Sequence, residues 1–294
     1  MTITQSEHTT ATATSGDVDL FYRRFGEPGL TPILILHGAN YYDSYDWIEV
    51  AAALASDREV VAFDARGYGA STWSPSGDYS IDAQIADIGA VCDQLGWPLP
   101  ILLGASRGGS FALRFAARFP ERASAVVLVD HCPGRTAAGQ VGAARQQGLA
   151  KRSPGVFPTL ADALAATTRD PSSLARPASR ARLEMFLADV EGGYVIATRD
   201  PAFQNDRPNG RPDWVSAFPP TDPWQELAEL RVPTLAVRAT RSRAFDAEAL
   251  RRLRDEFPGV TVAEIDSGHD VAGTAPAALV SCVQRFLETA FNHH

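Results

Sequence analysis

Cysteine is scarce. Three residues in a chain of 294, Cys92, Cys132 and Cys282, are too few and too scattered for a disulfide framework or a metal knuckle. That usage fits a reducing compartment, so a cytoplasmic location is expected. Runs of Lys and Arg are missing and the formal net charge is −8. A protein that neutralises phosphates needs a basic face, so the chain is not read as a nucleic-acid binder. No stretch approaches the roughly 18 consecutive apolar residues of a membrane span, so no membrane contact is expected. Residues 1–16, rich in Thr and Ser, lack the apolar core of a signal peptide and are read as a disordered leader. Nothing resembles a zinc site, a dinucleotide-binding glycine loop or a phosphate loop, so neither metal nor cofactor is expected. There is no internal repeat.

What remains is a chain with 45% hydrophobic residues, long enough for a large core. Residues 18–22 alternate polar and apolar, as in a half-exposed strand. The stretches 32–36, 59–64, 125–129, 234–237 and 260–265 read instead as strands covered on both faces. Helical spacing at 47–54, 81–95, 247–257 and 276–291 interleaves with them. Strands alternating with helices imply an α/β fold, a mostly parallel central sheet flanked by helices. The rhythm breaks between residue 131 and about residue 221, where Pro and Gly are frequent and helical stretches fall at 159–167 and 178–190 without a convincing buried strand. The expected organisation is a core of residues 17–130 and 222–292, with residues 131–221 inserted as a helical lid over the carboxyl edge of the sheet.

The chemistry centres on Gly104-Ala105-Ser106-Arg107-Gly108. An apolar strand at 101–103 precedes it and a helical pattern follows to Phe119-Pro120, so the serine sits on a sharp turn between strand and helix with its hydroxyl above the sheet edge. A serine hydroxyl is a poor nucleophile unless a neighbour accepts its proton. His269, in Asp266-Ser267-Gly268-His269, follows the strand at 260–265 and belongs to a loop at the same edge, which makes it the candidate base. His37-Gly38-Ala39-Asn40 follows the strand at 32–36. There the glycine permits a tight turn, and the backbone N–H of Ala39 can pair with that of Arg107 as an oxyanion hole. His37 itself is read as structural.

These three features, together with Asp64-Ala65-Arg66-Gly67-Tyr68-Gly69-Ala70-Ser71, resemble the α/β-hydrolase fold family over roughly residues 18–291. In that family Asp64, Arg66 and Gly69 serve loop architecture. Most members place the triad acid after the strand corresponding to 234–237, but here that turn reads Arg238-Ala239-Thr240-Arg241-Ser242-Arg243, without a carboxylate. Two candidates stand in for it. Asp130 ends the strand at 125–129, a position that some lactonases and dehalogenases of the family use, and it is preferred. Asp246 is the alternative acid, although it immediately precedes a helix and also reads as an N-cap. Arg107 either faces solvent or offers a guanidinium to the substrate. Tyr41, Tyr42, Tyr45 and Trp47, with Trp214 and Phe186 in the lid, are candidates for an aromatic substrate pocket. The resemblance implies a serine hydrolase, a monomer or homodimer, acting on an ester or lactone of a small, rather apolar molecule. Carbon–carbon bond hydrolysis, a biosynthetic cyclisation, or a ligand-binding relative that has lost turnover are the rival readings.

Overall fold

The computed structural model describes residues 7–39, 43–134, 156–167, 180, 184, 187–196 and 222–291. The strands are β1 (Thr9–Ser15), β2 (Val18–Phe25), β3 (Leu30–Leu36), β4 (Arg58–Phe63), β5 (Ile101–Ala105), β6 (Ala125–Val129), β7 (Leu187–Val190), β8 (Gly193–Ile196), β9 (Thr234–Ala239) and β10 (Val260–Ile265). The helices are α1 (Ile48–Leu54), α2 (Ile81–Leu95), α3 (Arg107–Arg118), α4 (Leu160–Thr167), α5 (Pro223–Glu229), α6 (Ala247–Glu256), α7 (Val271–Thr274) and α8 (Pro276–Phe291). A 3-10 turn at Ser44–Trp47 leads into α1.

Eight strands make one sheet in the order β1-β2-β4-β3-β5-β6-β9-β10. From β4 to β10 every neighbouring pair is parallel, and only β1 and β2 run antiparallel to their neighbours. Alternation along each strand sorts the apolar side chains into two cores. Leu34, Leu36, Leu102, Val126 and Leu128 face α2, α3, α5 and α6, whereas Ile33, Ile35, Ile101, Leu103 and Val127 face α1, α7 and α8. Each such side chain is fully or almost fully buried, a gain of about 1.5–3 kcal/mol apiece against exposure. Burial on both faces is the physical reason these segments read as unbroken apolar runs.

Three expectations need correction. The stretch 260–265, read as a strand covered on both faces, is the edge strand β10, of which only Ile265 is buried. The segment taken as a disordered leader contains β1, which pairs with β2 along seven residues from Thr9↔Arg24 to Ser15↔Val18. Only Ala13 and Ser15 of it are buried. An edge strand needs β-branched residues and backbone pairing rather than an apolar run, so its threonines imitate disorder in a hydropathy reading. Within the insertion, residues 160–167 are helical as expected, but β7 and β8 form an antiparallel hairpin where a helix over 178–190 was expected to end. Its loop, Glu191-Gly192, uses Gly192 at φ 89, and Phe157 and Tyr194 pair beside it. The purely helical lid is therefore not what the described residues show. Most of residues 131–221 lies outside them.

Candidate active site

A parallel sheet brings the carboxyl ends of its strands to one edge, so the loops after β3, β5, β6 and β10 converge although they are far apart in sequence. After β5, Ser106 adopts φ 50 and ψ −113, a left-handed conformation unusual for a residue with a side chain. Its N–H donates to Val129 O at 2.9 Å, which ties the turn to β6. The neighbouring glycines are required by contact. A Cβ at Gly104 would run into the carbonyl of Gly108, and one at Gly108 would lie 2.6 Å from His37 O and closer still to Leu36 O. The first turn of α3 therefore lies directly against the loop that carries Ala39.

His269 stands on the loop after β10. That loop is anchored by Arg241 N–H donating to Ser267 O at 3.0 Å, by the Ser267 hydroxyl on Gly268 O at 2.7 Å, and by the Asp270 cap of α7 on Gly273 N–H at 2.9 Å. His269 Nε2 is 3.0 Å from Ser106 Oγ, and its Nδ1 is 2.6 Å from Asp130 Oδ2. Asp130 ends β6 at φ 44 and is buried, with 1% of its surface exposed. Its other oxygen accepts from Ala239 N–H at 3.2 Å, at the end of β9. The carboxylate thus reaches across to the end of β9, whose following turn carries no carboxylate.

Asp246 does not join this group. Its side chain accepts from Ala249 N–H at 2.9 Å as the N-cap of α6. The Arg107 side chain does not face solvent. Its guanidinium turns inward, 4.4 Å over the Tyr68 ring and 5.6 Å from that of Phe111, and shares a cavity with His37, Gln84 and Asp87. A guanidinium is weakly hydrated and stacks well on an aromatic face, which makes this burial tolerable. Trp47 packs in the core with Val50 and Leu54, and Tyr45 is exposed beside Arg23, so neither forms an aromatic pocket by what it touches. Tyr41, Tyr42, Phe186 and Trp214 lie outside the described residues.

The loop after β4 supports the whole edge. Ala65 N–H donates to His37 Nε2 at 2.9 Å, so His37 is neutral with its proton on Nδ1, which faces Gly38 O at 2.7 Å. Asp64 accepts from Ser44 N–H at 2.7 Å and Ala70 N–H at 2.8 Å. Burial, and then the nearby Asp43 carboxylate, push Asp64 up to about 6 against those favourable bonds. Gly69 has φ 52, and a Cβ there would collide with the Asp64 carboxylate. Arg66 makes a bidentate pair with Asp87 of α2 at 2.7 and 2.6 Å and donates to Asp78 O at 2.7 Å. Sequence reasoning missed Asp87. Its signal is there: Gln84 and Asp87 interrupt the apolar face made by Ile81, Ile85, Ile88 and Val91, and both are buried. Among the described residues no cluster of His, Cys, Asp and Glu is arranged to hold a metal, and no helix is long and apolar enough to cross a membrane.

The chain is similar to several known hydrolases. It is 27% identical to the esterase Rv0045c of Mycobacterium tuberculosis over 267 residues, 87% of this chain and 83% of the relative. Lipase LipV of the same organism is 27% identical over 278 residues, 91% of this chain and 97% of the relative. The enol-lactonase structure from Burkholderia xenovorans superposes with a TM-score of 0.72 at 24% identity, covering 94% of this chain and 99% of that one, a likeness of fold. The family model described as the alpha/beta hydrolase fold matches residues 31–276. With that match running from β3 to the start of α8, the chain belongs to the α/β hydrolase fold family.

Proposed function

We propose that the protein is a serine hydrolase that cleaves a carboxylic ester or lactone of a small, rather apolar molecule through an acyl-enzyme. The observation that carries this reading is the unbroken line from Ser106 Oγ through the His269 imidazole to Asp130, at 3.0 and 2.6 Å. His269 Nε2 takes the hydroxyl proton as Oγ attacks the carbonyl carbon, and Asp130 holds the Nδ1–H tautomer and stabilises the imidazolium that forms. The N–H groups of Ala39 and Arg107 receive the negative charge that develops on the carbonyl oxygen. His269 then gives its proton to the leaving oxygen. Water, activated by the same imidazole, releases the acyl group and restores Ser106. The bond preference rests on likeness to an esterase and a lipase, since the same relay also serves carbon–carbon hydrolysis.

The test is incubation with a fluorophosphonate probe and a chromogenic short-chain ester. Labelling and turnover that both vanish in Ser106→Ala are the expected result. Intact protein that takes no label, or ester turnover that survives Ser106→Ala, would overturn the proposal.

A further inference from the structure

The two halves of the proposed oxyanion hole come from separate loops, with Ala39 following β3 and Arg107 following β5. Gly108 sets how closely they approach, because its missing Cβ lets α3 sit on the carbonyls of Leu36 and His37. A steric limit prevents closer contact but does nothing to prevent separation. A third loop supplies attraction to both sides. Tyr68, 3% exposed, lies in the turn after β4, where its N–H donates to Ala65 O at 2.9 Å and its carbonyl accepts from Ser71 N–H at 3.0 Å. Its ring meets the His37 imidazole edge-on at 5.3 Å and 61°, and carries the Arg107 guanidinium on its face at 4.4 Å. The same turn holds His37 a second time, through Ala65 N–H on Nε2. One aromatic ring therefore touches the residue two before one oxyanion donor and the side chain of the residue that is the other.

We propose that Tyr68 and the Arg107 side chain are positioning residues that clasp the two oxyanion donors at a fixed separation, the Arg107–Tyr68 cation–π contact being the closure. This rests on the serine-hydrolase reading above. A cation–π contact removed from water is among the stronger interactions of its kind, because the guanidinium has no competing hydration shell. An oxyanion donor loses most of its value when its geometry relaxes, since preorganisation is what makes it effective. The clasp thus acts on the charged transition state and not on ground-state substrate binding.

The experiment compares Tyr68→Leu, Arg107→Met and Tyr68→Phe with the unaltered protein. Sites are first counted by complete fluorophosphonate labelling, so that any misfolded fraction drops out. For the chromogenic ester, kcat per labelled site should fall about tenfold in Tyr68→Leu and Arg107→Met, with KM within about twofold. The inhibition constant of a trifluoromethyl ketone, whose serine adduct places an oxyanion in the hole, should rise by the same factor. Tyr68→Phe keeps the ring and should restore both values. A merely structural role would lower the number of labelled sites and the melting temperature while leaving kcat per site and the ketone constant unchanged, and that result overturns the proposal. So does a Tyr68→Phe protein as impaired as Tyr68→Leu. Failure of the underlying reading looks different: the unaltered protein would not label at all.

Discussion

Replacing Asp130 by Asn tests the relay at its most buried point. Asp130 Oδ1 accepts a backbone N–H from Ala239, and Oδ2 faces His269 Nδ1. An asparagine has one oxygen and one NH2 group, and the Ala239 N–H admits only the oxygen. The NH2 group must then point at His269 and donate to Nδ1. That forces the imidazole proton onto Nε2, where it faces Ser106 Oγ and can no longer accept the hydroxyl proton. The side chain keeps its shape while the tautomer inverts. A triad with this defect loses roughly 10⁴ in kcat, about 5 kcal/mol of transition-state stabilisation. Initial rates with a chromogenic ester, beside a thermal melt to show an intact fold, supply the measurement. Asp130→Asn retaining more than about a tenth of the original kcat, or Asp246→Asn showing the larger loss, would refute the assignment.

Asp246→Ala removes a helix cap and should cost about 1 kcal/mol in a denaturant titration while leaving kcat unchanged. Asp87→Leu removes the bidentate partner of the Arg66 guanidinium, which is 4% exposed, and leaves it Asp78 O and the Asp17 carboxylate at 3.9 Å, so it should destabilise the fold by about 3 kcal/mol in the same titration; a loss below about 1 kcal/mol would show that the pair is not buried as described. Because Asp64 is raised from 3.8 to about 6 by burial and by Asp43, the folded state favours its protonated form. The stability that Asp64 contributes is full below about pH 4 and is lost as pH rises through about 6, so the unaltered protein should lose ground relative to Asp64→Asn across that range. Denaturation midpoints of the two proteins from pH 4 to 7 check this, and a flat or rising difference would contradict it. Gly108→Ala puts a methyl against the carbonyls of Leu36 and His37, so it should abolish esterase turnover even if the protein remains folded by circular dichroism.

Local patterns already determined much of this molecule. The apolar runs that became β3, β4, β5, β6 and β9 are buried on both faces, so hydropathy alone identifies them, and helices α2, α6 and α8 lie within a residue of their expected limits. The serine turn is equally local, because its glycines are demanded by contacts within a few residues and with the adjacent strand. Asp246 shows where such reading stops, since a cap and a triad acid are both an aspartate before a helix and only distance separates them.

What tertiary structure decided were the relations between strands. β6 lies between β5 and β9, which sets Asp130 between the serine turn and the end of β9, within 2.6 Å of a histidine 139 residues away. The Arg107 side chain turned inward because Tyr68, from a third loop, offers it an aromatic face. The Thr-rich start of the chain became a strand because β2 had an unpaired edge to fill. Periodicity reports which faces a segment buries. Which carboxylate meets which imidazole depends on strand order and backbone pairing, and those are properties of the assembled sheet.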